Sequence, residues 1–189
     1  MWDWQRRLLG KEASPTYPSF RPSPPICNVD WNNNFFVFIR CKVTLTDLPE
    51  VIPLLERNIE LNSGEIPRDF VKSKSLRWGE EINQNERAVL ETDFVLVSDC
   101  IYYEASLDPL LLTLKAVTEA SPKALILICY EDRSSSSEAK EKIQRRFFEL
   151  VEAADLWSVR HYGLAECHPE FASEDIHVIG LQKKPSPQE

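Results

Sequence analysis

The sequence predicts an α/β protein built on a mostly parallel sheet. Three observations carry that expectation. From Phe35 onward, β-prone apolar stretches alternate with helical periodicities. Two of the strand-like runs, FVLVS and ALILICY, are continuously apolar, the pattern of strands inside a covered sheet. The 189 residues are enough to enclose one real core, with hydrophobic residues at 43% and charged ones at 28%.

Residues 1–34 stand apart from this alternation. They contain Pro15, Pro18, Pro22, Pro24 and Pro25 and end in Asn32-Asn33-Asn34, with no sustained period, so an irregular leader is expected. Phe35 to Thr46 (FFVFIRCKVTLT) reads as one strand or two short ones, closed by Asp47-Leu48-Pro49. A helix should follow on Val51, Leu54, Leu55 and Ile59, with Pro49 and Pro53 tolerated only near its first turn and Gly64 placed to end it. Phe70 to Leu76 is a weaker strand. Phe94 to Ser98 is a strand expected to be covered on both faces. The next helix has Asp108 as the expected N-cap and Pro109 as its first residue, carries Leu110, Leu111, Leu114 and Val117 on one face, and stops before Pro122.

Ala124 to Tyr130 is a second buried strand, and Ser134 to Ser137 a polar turn. Glu138 to Ala154 is amphipathic, with Ile143, Phe147, Leu150, Val151 and Ala154 in one stripe. Trp157 to His161 and Asp175 to Gln182 have no helix between them, so they should pair antiparallel at the sheet edge. Residues 183–189 form a charged tail, which leaves 35–182 as the folded domain.

Lys plus Arg number 22 against 30 Asp plus Glu, a net charge of -8, which lacks the basic footprint of a nucleic-acid binder. No apolar run approaches the ~20 residues that span a bilayer, so no membrane partner is expected, and a monomer is. The five cysteines form no Cys-x-x-Cys pair, which points to a reducing, cytoplasmic compartment rather than a disulfide framework or zinc ribbon. His161, Cys167, His168 and His177 match no familiar zinc spacing, so no metal is expected.

Parallel α/β sheets bind ligands outside the carboxyl ends of their strands, which directs attention to Asp47, Trp78, Asp99 and Glu131. Asp47 is either a carboxylate for ribose hydroxyls or an ordinary helix cap. Trp78, in Leu-Arg-Trp-Gly-Glu, is either a wall for a purine or core filling. Asp99-Cys100-Ile101-Tyr102-Tyr103-Glu104 is the most informative stretch. A carboxylate at the mouth of a buried strand calls for a cation or donors, and Tyr102 offers a hydroxyl and a π face to a sulfonium or alkylammonium. The plainer reading is a turn-capping Asp with tyrosines packed below. Glu131-Asp132-Arg133 is either a site carboxylate with a base beside it or an exposed ion pair. Cys100 and Cys129 read as small core residues.

With those residues in view, the stretch from about Lys42 to Lys184 resembles the family 16 protein-lysine methyltransferases, the methyltransferase-like 21 group. The resemblance rests on VTLTDLPEVIPLLERNIELN, SLRWGEE, DFVLVSDCIYYEASLDPLLLTLK, CYEDR and SEDIHVIGLQKK. It is strongest toward members acting on valosin-containing protein, a hexameric AAA ATPase. It implies a seven-strand, Rossmann-like class I methyltransferase sheet and S-adenosylmethionine as cofactor. By that likeness Asp47 would hold the ribose, Trp78 would contact the adenine, and Asp99 and Tyr102 would sit where the methyl group meets a lysine ε-amine, with Glu131 lining the same mouth.

The family pattern opens on a strand, a Glu-Leu-Gly-Ser-Gly-Thr-Gly loop and a helix. This chain has five glycines where roughly thirteen would be average, and no Gly-x-Gly among them. The expectation is therefore a truncated domain whose first strand and first helix are absent or replaced. A second reading follows: a noncatalytic chain acting as a binding module for the same partner.

Overall fold

The computed structural model describes residues 41–63, 68–82, 89–132, 137–170 and 172–185. Their contacts separate two compact units, one ending at Leu76 and one beginning at Arg77. The expected leader, FFVFIR, Gly64, Arg133 and Ser134 to Ser136 lie outside the described residues.

The first unit holds β1 (Val43–Asp47), α1 (Ile52–Leu61), a 3-10 turn at Arg68–Phe70 and β2 (Val71–Ser75). β1 and β2 pair in parallel from Val43 opposite Val71 to Asp47 opposite Ser75. A parallel pair needs a crossover, and α1 lies in that crossover. Pro53 sits in its first turn, where a missing N–H breaks no helical bond. The helix stops at Leu61, short of the expected Gly64. There Asn62 Nδ2 donates to the Asn58 carbonyl and Ser63 Oγ to the Glu60 carbonyl, both at 2.7 Å, so short polar side chains take the terminal carbonyls.

The second unit runs β3 (Phe94–Ser98), α2 (Glu104–Ala120), β4 (Leu125–Glu131), α3 (Glu138–Ala154), β5 (Trp157–Tyr162), a 3-10 turn at Leu164–Glu166 and β6 (Ile176–Lys183). Its sheet has the order β3-β4-β6-β5, parallel between β3 and β4 and antiparallel at the other two junctions. The α/β class is as expected, with six strands among the described residues rather than seven. The two C-terminal strands pair antiparallel, but β6 lies inside the sheet and β5 takes the edge.

One core runs through this unit. Val97, Ile126, Ile128, Ile179, Leu181 and Trp157 from the strands meet Leu107, Leu110, Leu111 and Leu114 of α2 and Phe147 and Val151 of α3. The expected stripe of α3 is the face that packs. Trp157 also donates its indole N–H to Thr118 Oγ1 at 2.8 Å, which satisfies the one polar atom its burial brings in.

Two expectations are corrected here. β3 is covered on one face only: Val97 is buried while Leu96 is 77% exposed. An unbroken apolar run does not say which of its alternating side chains meets a helix, and α2 and α3 pack with the Val97 side. α2 also begins at Glu104, with Tyr103 as N-cap, so Asp108 and Pro109 lie inside it. Pro109 falls early enough to forfeit a single bond, and burial of Leu107 holds the preceding turn in the helix.

Candidate active site

The carboxyl end of β3 is an ordered corner. Asp99 takes a left-handed backbone at φ 51°, a region Asp tolerates better than most residues and one that recurs at functional sites. Its N–H donates to the Cys129 carbonyl at 2.8 Å, which extends the β3–β4 ladder past the last strand residue. Cys100 Sγ–H turns back to the Ser98 carbonyl at 3.3 Å, and Ile101 is buried. The loop is thereby plugged into the core on one side, while Tyr102 and Tyr103 stand out on the other, their rings edge to face with centroids 6.1 Å apart.

Glu131 ends the neighbouring strand at the same rim. Its carbonyl accepts from Gln144 Nε2 of α3 at 2.6 Å, and the next residue, Asp132, donates its N–H to the Asp175 carbonyl at 2.6 Å. Because β3 and β4 are parallel with Ser98 opposite Cys129, Asp99 and Glu131 emerge from adjacent strands in the same direction. On the face of β4 away from the helices, a groove of ≈ 420 Å³ is lined by Leu127, Cys129, Tyr162, Cys167, Ile176 and Val178 among others. Burial pushes the Cys129 thiol up from its ordinary value, with Cys167 and Asp99 adding to the effect.

Trp78 belongs to the same unit and packs half-buried against its core. Gly79 beside it has φ +79° and donates its N–H to Thr113 Oγ1 at 2.9 Å, and a Cβ there would sit 3.0 Å from Pro109 Cα. The Trp78 turn is thus docked on α2 by a contact that only glycine permits. Asp47 lies in the first unit, at the carboxyl end of β1. Its Oδ1 accepts the Leu48 N–H at 2.7 Å, and its backbone carbonyl accepts the Leu76 N–H at 2.9 Å.

The residue pattern did not reveal two supports of the second unit: the close approach of Gly79 to Pro109 and the Gln144 side chain donating to the Glu131 carbonyl. Gln144 left a signal, as a polar residue one position from the apolar stripe of an amphipathic helix. Among the described residues, His161, Cys167, His168 and His177 do not form a group of three or more side chains suited to a metal ion.

The profile of a family described as lysine methyltransferase matches residues 33–154. This chain belongs to the lysine methyltransferase family. It is 31% identical over 127 residues to protein-lysine N-methyltransferase EFM6 of Saccharomyces cerevisiae, a match over 64% of this chain and 50% of the relative. It is 28% identical over 117 residues to protein-lysine methyltransferase METTL21E of Bos taurus, covering 61% of this chain and 39% of that one. The chain thus spans half or less of the length of these relatives. A solved structure described as PigF with SAH aligns over 76% of this lysine methyltransferase family member and 48% of its own chain, at 9% identity and a TM-score of 0.46. Among the described residues no helix is long and apolar enough to cross a membrane.

Proposed function

We propose that this chain is an S-adenosylmethionine-dependent protein-lysine N-methyltransferase acting on a lysine ε-amine of an AAA ATPase, valosin-containing protein, in the cytoplasm. The observation that carries the reading is Asp99, held in a left-handed turn at the mouth of β3 with Tyr102 exposed beside it, inside the stretch that the family profile matches.

Each unit, taken by itself, offers residue types suited to part of a nucleoside carrying a sulfonium. Asp47 offers a strand-end carboxylate with one oxygen engaged by Leu48 N–H and the other for ribose hydroxyls. Trp78 offers an indole for adenine, and Asp99 a negative charge for the cationic end. When bound, S-adenosylmethionine would supply an electrophilic methyl group for the amine lone pair, with a neutral thioether as the leaving group.

The protein's share is binding, orientation and proton handling. A lysine ammonium, with a pKa near ~10.4, is not a nucleophile until it loses a proton. The Asp99 carboxylate attracts the ammonium and aims it, which by itself favours the charged form; desolvation in a closed mouth works the other way. The proton leaves to solvent, Asp99 steadies the incoming amine, Tyr102 shapes the approach, and Glu131 supplies a second negative wall from the adjacent strand. In-line positioning and exclusion of water contribute the remainder.

Calorimetric titration with S-adenosylmethionine, followed by transfer of labelled methyl to valosin-containing protein, tests the proposal. Saturable heat at micromolar ligand and label recovered on lysine support it. One other reading, a noncatalytic module for the same protein, predicts binding of that protein without cofactor heat or transfer.

A further inference from the structure

Tyr102 and Tyr103 are 56% and 65% exposed, an unusual amount of adjacent aromatic surface at the mouth of a strand. The two rings stand at 82° to one another with centroids 6.1 Å apart, so they form two walls of an open corner. The corner is held from behind. Ile101 is buried on one side, and on the other the Tyr103 carbonyl accepts both the Ser106 N–H at 3.1 Å and the Ser106 hydroxyl at 2.8 Å. Leu107, buried in the core, anchors the first turn of α2 just beyond. The backbone that carries the two exposed rings is therefore fixed by the fold.

We propose that Tyr103 is a specificity-determining residue of the substrate mouth, forming with Tyr102 an aromatic corner that takes the alkylammonium side chain of a lysine-bearing protein. The inference rests on the methyltransferase reading for the identity of the cation, and on ring geometry for everything else. An aromatic face attracts an alkylammonium through its quadrupole, and two faces at right angles contact both the charged head and the methylene stem. The amino end of α2 lies at the same place and would repel a cation, but Glu104 in its first turn and Asp99 at the start of the loop supply two negative charges. Of the two tyrosines, Tyr103 is the more exposed, which suits a wall facing an incoming chain.

The test uses the whole chain with ring-labelled tyrosines, observed by NMR during titration with Nα-acetyl-lysine amide, its Nε-trimethyl form and the neutral norleucine analogue. The expected result is saturable movement of both the Tyr102 and Tyr103 ring signals by the two cations, greater for the trimethyl form, and none by norleucine. Tyr103→Ala should weaken that binding ~10-fold while Tyr103→Phe, which keeps the π face, stays within about twofold. The proposal is overturned if the Tyr103 signals stay still in the wild-type chain, if norleucine moves them equally, or if Tyr103→Ala binds as wild type. The wild-type titration decides even should Tyr103→Ala fail to fold. A parallel S-adenosylmethionine titration separates the two claims: cofactor heat with unmoved tyrosines sinks the corner alone, and moved tyrosines without heat sink the enzyme reading alone.

Discussion

The backbone N–H of Asp99 donates to the Cys129 carbonyl at 2.8 Å. That bond ties the left-handed turn after β3 to the interior strand β4, so the Asp99 side chain leaves the sheet from a fixed point. It also makes backbone and charge effects at this position separable by mutation.

Asp99→Asn should leave the fold intact, because Asn also tolerates φ 51°, yet lower methyl transfer at least ~100-fold by removing the negative charge. Asp99→Ala should lose activity and also destabilise by ~1 kcal/mol or more, since alanine is strained in that region. Urea unfolding beside single-turnover kinetics separates the two. Equal activity of Asp99→Asn and wild type would remove Asp99 from the mechanism.

Gly79→Ala should destabilise the second unit by about 1–3 kcal/mol, because its Cβ meets Pro109 at 3.0 Å in a positive-φ turn. Differential scanning calorimetry reads this as a lower Tm. An unchanged Tm would mean that the Trp78 turn is not docked on α2.

The one-sided covering of β3 is tested by two substitutions next to each other. Leu96→Lys, at a side chain 77% exposed, should change stability by no more than ~0.5 kcal/mol. Val97→Ala, in the core, should cost about 1–3 kcal/mol. Chemical denaturation of both variants settles the order, and a costly Leu96→Lys would show that the other face is covered after all.

Stability should fall in alkali. The folded state raises the Cys129 thiol above its ordinary 9.0, chiefly by burial, and the Tyr130 hydroxyl above 10.0 by burial and the Asp132 charge. Both groups bind their protons more tightly folded than unfolded, so their contribution is complete below those ordinary values and is lost as pH rises through the folded ones. Tm measured from pH 7 to 11 should decline beyond about 9, and Cys129→Ser should flatten the first part of that decline. The same shift predicts slower alkylation of Cys129 by iodoacetamide than of a free cysteine at pH 8.

Much of this protein was legible in its residues. The stripe Ile143, Phe147, Leu150, Val151 and Ala154 specified α3 and its buried face, because a 3.6-residue period leaves one way to bury it. The apolar runs marked β3 and β4, and strand ends in a parallel sheet marked Asp99 and Glu131 as neighbours on one rim. What the sequence withheld was decided between elements distant along the chain. Whether Leu96 or Val97 is covered depends on where two helices come to rest. The start of α2 depends on Leu107 reaching the core, which outweighs the local preference of Asp108-Pro109 to open a helix. Gly79 could be understood only once Pro109 lay against it. Local spacing fixes which side chains share a face, but only packing determines what that face meets.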